Sequence, residues 1–185
     1  KEINREFKKH GISEEAHMAY EYVVALKDEN WRNAIETFLG VHRYAIIVSK
    51  DAFDIANAVL DRSRYRYVEL VNTKRLMSKK LECKEDSVFL YLDIQNETAA
   101  NYFKFWLGSI HAVDIEKVPD YDNDMSMEGK LSRNMSVTYI NTRKIRSYCL
   151  GSQAIELNRR AAEKRLIELE KKEQDILLEQ RSLQD

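Results

Sequence analysis

Residues 153–185 contain no Gly and no Pro, and 15 of their 33 side chains are charged, seven basic and eight acidic. Ile155, Ala162, Leu169, Ile176 and Leu183 recur every seven residues, and Leu166 takes the intermediate position between two of them. A seven-residue apolar repeat keeps one seam turned toward a partner helix, which is the requirement of a coiled coil. The second seam is polar, with Arg159, Glu173 and Gln180 where an ideal zipper carries Leu or Ile. A helix with this much charge and so narrow a stripe is not stable alone. Fully helical, the stretch would span roughly 50 Å, longer than a compact body of this size needs. The pattern therefore predicts an arm leaving a folded body; the alternative is a long capping helix lying against that body.

Removing the arm leaves enough chain for one ordinary core or two small linked lobes. The formal net charge of −1 argues against a wholesale polyanion binder, although local patches remain open. Cys83 and Cys149 have no C-x-x-C spacing, which suits a reduced, cytoplasmic chain. No apolar run approaches the roughly 18 residues of a membrane span, and the start at Lys1 suggests a piece of a longer protein.

Ile3 and Phe7 make residues 1–9 a short amphipathic helix stopped by Gly11, expected to lie antiparallel to the start of the final helix. Residues 20–26 (YEYVVAL), 44–48 (YAIIV) and 66–71 (RYVELV) read as strands. Helices are expected between them, one holding Trp31, Ala34, Ile35 and Phe38, the other Phe53, Ala56 and Val59. This alternation implies a small parallel or mixed sheet with right-handed crossovers. Residues 73–86 are polar and basic and read as a connector. Beyond it, residues 87–94 are ambiguous between strand and helix, 96–107 helical, and 110–115 and 135–140 strands. The expected division is an incoming helix (1–10), a first lobe (11–72), the connector, a second lobe (87–151) and an outgoing helix (152–185).

The order of elements and the string WRNAIETFLGVHRYAIIVSKDAFDIANAVL, residues 31–60, resemble the hinge domain of SMC-type ATPases. The W-x-x-A-I-E pattern, and a late R-x-Y-x-L-G formed by Arg146, Tyr148, Leu150 and Gly151, look closest to the MukB-like branch. Many hinges carry a Gly-rich stretch near the dimer contact, whereas residues 127–140 hold only Gly129. The resemblance implies a mixed α/β body of two small lobes, with a coiled-coil stalk made by the first and last helices. It further implies a homodimer through the body, ATPase heads and other SMC-complex subunits located elsewhere on a parent chain, and no enzymatic role for this piece.

The residues agree with that absence of chemistry. There is no G-x-x-x-x-G-K-[ST], and the four histidines have no metal-ligand spacing, so no catalytic residue, cofactor or metal site is expected. Asp120, Asp122 and Asp124 evoke a calcium loop, but Met125 stands where Gly is needed and Leu131 where Glu is needed. Charge is the stronger signal. Arg62, Arg64, Arg66, Lys74, Arg75, Lys79 and Lys80 form one basic run; Lys130, Arg133, Arg143, Lys144 and Arg146 form another. With Tyr65 and Tyr67 interleaved, the first run could contact phosphates and stack on bases; the alternative is a solvated strand edge. Val68 and Leu70, and Val137 and Tyr139, are the candidate strand edges for pairing two copies. A nucleic-acid-binding domain with a coiled-coil dimerisation tail is the competing reading, and a small α/β enzyme a third.

Overall fold

The computed structural model describes residues 1–63, 67–145 and 147–182. Its helices are α1 (Glu2–Lys9), α2 (Arg32–Leu39), α3 (Phe53–Arg62), α4 (Thr73–Met77), α5 (Glu97–Leu107) and α6 (Ala154–Ser182). The strands are short: β1 (His17–Met18), β2 (Val23–Leu26), β3 (Ile46–Ile47), β4 (Leu92–Ile94), β5 (His111–Ala112), β6 (Asp124–Met125), β7 (Lys130–Arg133) and β8 (Ser136–Tyr139). β1 pairs with β3 and β2 with β4, both antiparallel, and the remaining four form one sheet in the order β5-β6-β7-β8.

Local chemistry fixes the helix boundaries. Asn96 caps α5 by accepting from Ala99 N at 2.9 Å, and Asn72 caps α4 by accepting from Arg75 N at 3.0 Å. In α5 the buried residues Ala99, Tyr102, Phe103 and Leu107 recur every three or four positions, which puts them on one face. Asp28 caps a 3-10 turn (Glu29–Trp31) that leads into α2, and Gly40, at φ +51°, ends α2 in a conformation that an L side chain rarely adopts.

The strands depart from expectation in an instructive way. Residues 20–26 do not form one strand; a 3-10 turn (Ala19–Tyr22) precedes β2, whose pairing with β4 is irregular between Val23 and Ala25. The buried side chains are Ala19, Val23 and Leu26, a spacing of four then three, and a period-two strand cannot turn all three to one side. Similarly, residues 44–48 supply only β3. In residues 66–71 only Leu70 pairs, through a parallel bridge to Ile46, and Arg66 lies outside the described residues. The crossover from β3 through α3 to Leu70 is the realised part of the expected parallel arrangement. The ambiguous stretch 87–94 resolves into a 3-10 turn (Val88–Tyr91) followed by β4.

One large core takes Val23, Trp31, Ile35, Leu39 and Ile47 from the first half of the chain and Val88, Leu92, Phe103, Ile110 and Leu150 from the second. Leu76 of α4 is buried in it as well, so the polar stretch 73–86 begins with an ordered helix. A smaller cluster joins Ile3 and Phe7 of α1 to Val48, Ala52, Ala56 and Val59. This corrects the expected pairing of the two terminal helices: Ile3 and Phe7 face α3, where small residues let the backbones approach, and not the start of α6.

α6 is the helix that the heptads demand, and it projects. From Arg159 to Leu178 every side chain is exposed, including Ala162, Leu166, Leu169 and Ile176 of the seam; Leu183 lies outside the described residues. Ile155, at the first seam position, is 80% exposed. The capping alternative is thereby excluded. Among the described residues no helix is long and apolar enough to cross a membrane.

Candidate functional site

The sheet β5-β6-β7-β8 has one edge covered and one open. On the β5 side, Ser87 bridges to His111, and Val88 N donates to Ile110 O at 2.9 Å. β8 has no further strand beside it among the described residues, and all four of its side chains are exposed. The β7–β8 hairpin turns through Asn134 (φ 53°) and Met135 (φ 63°), the positive values that a two-residue turn of matching twist requires at both central positions. Arg133 therefore faces Ser136, and Ile140 N donates to Gly129 O at 2.8 Å at the far end. Because hydrogen bonding alternates along an antiparallel pair, Ser136 and Thr138 bond inward to β7. Val137 and Tyr139 consequently direct their N–H and C=O groups away from the sheet. Their side chains are 48% and 64% exposed. The other candidate edge is weaker: Val68 is exposed, but Leu70 is half-buried and bridged to Ile46.

A second arrangement roots the arm in the body. Glu36 of α2 is fully buried and accepts from Arg32 Nη1 at 3.0 Å and from Arg43 Nη1. It also accepts the backbone N–H groups of Cys149 (2.9 Å) and Leu150 (3.3 Å). Arg32, likewise buried, donates to Glu29 at 2.6 and 2.9 Å and to Leu150 O. Burial opposes the Arg32 charge, but Glu29 and Glu36 together hold the guanidinium above its ordinary range. Tyr148 OH donates to Asn33 Oδ1 at 2.9 Å, and the Asn158 amide of α6 bonds both Tyr148 N and Tyr148 O at 2.8 Å. Gly151, at φ +73°, lies so close to β2 that an added Cβ would stand 3.0 Å from Ala25 Cα. Thus the W-x-x-A-I-E stretch and the late Y-x-L-G, 113 or more residues apart, close on each other as a clamp at the arm's first turn. Sequence reading missed Glu36 as a buried centre; its one signal was the Arg32–Glu36 spacing of four, which reads equally well as a surface pair. Burial first, and then Glu36, pushes the Cys149 thiol up to about 12.

The basic candidates do not form one described face. Arg62 is exposed and 4.0 Å from Glu6, and Lys74 pairs with Asp54. Arg75 and Lys80 are exposed, while Lys79 sits over the Phe105 ring at 5.4 Å. Lys130 donates to Ile115 O (3.1 Å) and Val118 O (2.8 Å), which ties down the acidic loop. Arg133 covers Phe38 at 5.6 Å. Arg143 is exposed and shares a groove with Lys164 and Arg165 at the base of α6. Arg64, Arg66, Arg146 and the side chain of Lys144 lie outside what is described. Asp124, third acid of the calcium-like D-x-D-x-D string, is buried in β6 and accepts from Tyr121 N at 2.7 Å.

No family model matches the chain, and no curated protein matches it. Solved structures do. The hinge domain of the Pyrococcus furiosus SMC protein is similar over 80% of this chain and 84% of its own, at 20% identity and a TM-score of 0.53. The Pyrococcus furiosus Smc hinge domain with an extended coiled coil is similar over 99% of this chain and 68% of its own, at 19% identity and a TM-score of 0.54. The second alignment takes in α6 as well as the body, so the mixed α/β fold with its terminal helix is the fold of an SMC hinge domain.

Proposed function

We propose that this chain is the dimerisation module of an SMC-type ATPase, joining two coiled-coil arms so that the parent complex can entrap DNA. The observation that carries the reading is the open β8 edge, with Val137 and Tyr139 presenting unpaired backbone groups on a body that has the hinge fold. An exposed strand edge attracts another strand, and a second copy supplies one in a closed twofold dimer. The exposed seam of α6 supports the same picture, since Leu166, Leu169 and Ile176 gain burial only against another helix. The body divides into lobes 11–72 and 87–151 joined by 73–86, and the piece itself performs no catalysis.

The finer assignment follows the W-x-x-A-I-E and Y-x-L-G residues, which the structure brings together at the arm root. They favour the MukB-like branch and, within it, the Wadjet plasmid-defence subunit JetC, acting in the cytoplasm on plasmid or nucleoid DNA through loop extrusion. Arg75, Lys79, Lys80 and Arg143 are exposed and suit weak, sequence-independent DNA contact.

Size measurement on residues 1–185 and 1–152 tests the reading against a nucleic-acid-binding domain dimerised by its tail. The hinge reading expects a dimer from both at tens of micromolar; a dimer lost with the tail supports the competitor. Val137→Pro sharpens it. Proline at an outward-facing edge position leaves the hairpin's own bonds intact but removes a donor toward the partner strand. Dimerisation should fall at least tenfold with Val137→Pro and little with Val137→Ala.

A further inference from the structure

Lys84, Asp86 and His111 meet at the covered edge of the β5-β6-β7-β8 sheet. Asp86 Oδ1 lies 2.7 Å from His111 Nδ1, and Lys84 Nζ lies 2.6 Å from His111 Nε2. The backbone holds all three residues. Lys84 N donates to Gly108 O at 3.0 Å, Ala112 N to Asp86 O at 2.8 Å, and His111 N to Asn123 O at 2.8 Å. Tyr121 stacks on the imidazole at 4.4 Å between ring centroids and 18° from parallel, which fixes the plane of the ring.

Each contact assigns a role to a nitrogen. The hydrogen bond from His111 holds the Asp86 carboxyl below its ordinary range, so Asp86 acts only as an acceptor and Nδ1 carries the proton. In that tautomer Nε2 keeps its lone pair, which faces the Lys84 amine. Other lysines are placed differently. Lys9, Lys74 and Lys117 pair with carboxylates and Lys130 with two carbonyls, acceptors that do not take a proton from an ammonium group at neutral pH. An amine within hydrogen-bond reach of a base, itself oriented by a third group, is the arrangement of an activated nucleophile. Lys84 is exposed whereas the His111 side chain is only 13% exposed, so a reagent reaches the amine while the base stays in place. Glu82 and Glu85 flank the lysine in the chain, and their charges disfavour an anionic acyl phosphate relative to an uncharged acyl donor.

We infer that Lys84 is a self-acylating site for acyl thioesters, with His111 as the general base and Asp86 as the residue that positions it. The Lys84 ammonium gives one proton to His111 Nε2. The amine nitrogen then bonds to the acyl carbon as the C–S bond breaks, its second proton goes to the departing thiolate, and His111 passes its own to water. The product is an amide and a free thiol, and the chain is modified once, not turned over. The site does not depend on how two copies pair.

The test incubates the whole chain with S-acetyl-N-acetylcysteamine, an uncharged thioester, and follows acetylation at each lysine by mass spectrometry. Lys84 should react at least tenfold faster than the exposed Lys50 and Lys80, against the roughly 10²–10⁴-fold that a positioned base contributes in enzymes. His111→Gln should bring Lys84 down to the rate of Lys80 with the melting temperature unchanged. In His111→Ala, added imidazole should restore Lys84 selectively over Lys80. Asp86→Ala should slow Lys84 at least threefold and Asp86→Glu should recover most of the rate, a pattern that loss of structure does not produce. The inference is overturned if Lys84 of the parent reacts no faster than Lys50 and Lys80, or if His111→Gln leaves its rate intact. Imidazole that raises Lys80 as much as Lys84 overturns it equally.

Discussion

Removing the Glu36 carboxylate tests whether the arm is truly fixed at its root. Glu36 is buried among two guanidinium groups and two backbone N–H donors, so Glu36→Ala leaves all four facing a void. Arg32 retains Glu29, but Arg43 loses its carboxylate partner. Removing one member of a buried ion pair typically costs about 3–5 kcal/mol, because the other charge stays desolvated. Set against a total stability of about 5–15 kcal/mol, that is a severe loss. Urea denaturation should show the midpoint falling with little change in slope. The local effect should exceed the global one. Residues 148–150 lose their anchor on α2, so trypsin should cut at Arg143 or Lys144 faster in the variant while the body is still folded. A destabilisation below about 1 kcal/mol together with an unchanged cutting rate would refute the clamp.

Gly151→Ala should destabilise by about 1–3 kcal/mol, from a positive φ and a Cβ pressed toward Ala25 Cα, measured as a lowered melting temperature. Thiol reagents at pH 8 should modify exposed Cys83 first and Cys149 slowly, since burial and Glu36 hold the Cys149 thiol up near about 12; equal rates in Cys83→Ser and Cys149→Ser proteins would contradict this. Hydrogen bonds from Arg159 and Arg160 hold Glu156 down at about 2 against an ordinary 4.5. Its contribution to the first turn of α6 is therefore complete above pH 4.5 and lost as pH falls toward 2. Its carboxyl carbon should titrate near 2, and return to the ordinary range when both arginines are Ala. Finally, Leu166→Glu with Leu169→Glu should leave the melting of the body unchanged, because both side chains are exposed, while abolishing helix pairing by the arm.

Much of this molecule is visible in its residues. The faces of α2, α3 and α5 follow from apolar spacing, the heptads of residues 153–185 give α6, and the alternation of residues 136–139 gives β8. What fails does so for identifiable reasons. Residues 20–26 are rich in strand formers, yet the core needs Ala19, Val23 and Leu26 on one side, and that tertiary demand overrides local preference. Ile3 and Phe7 announce an amphipathic helix, but a stripe two residues wide does not name its partner, and α3 offers the better surface. Glu36 shows the deepest limit. On paper it is one acid in a charged chain, and only the return of Cys149 and Leu150, 113 and 114 residues further on, makes it a buried centre.

α6 contains 29 residues and so extends about 43 Å from its anchorage. At that length it acts as a lever: a tilt of about 10° at Asn158 sweeps the Ser182 end through roughly 6 Å, whereas atoms beside the pivot barely move. Slight rearrangement among Arg32, Glu36 and Arg43 is thus magnified several-fold along the shaft, and a load at the far end returns to those side chains with the same mechanical advantage. The stiffness of one buried acid–base knot sets how faithfully movement passes between arm and body.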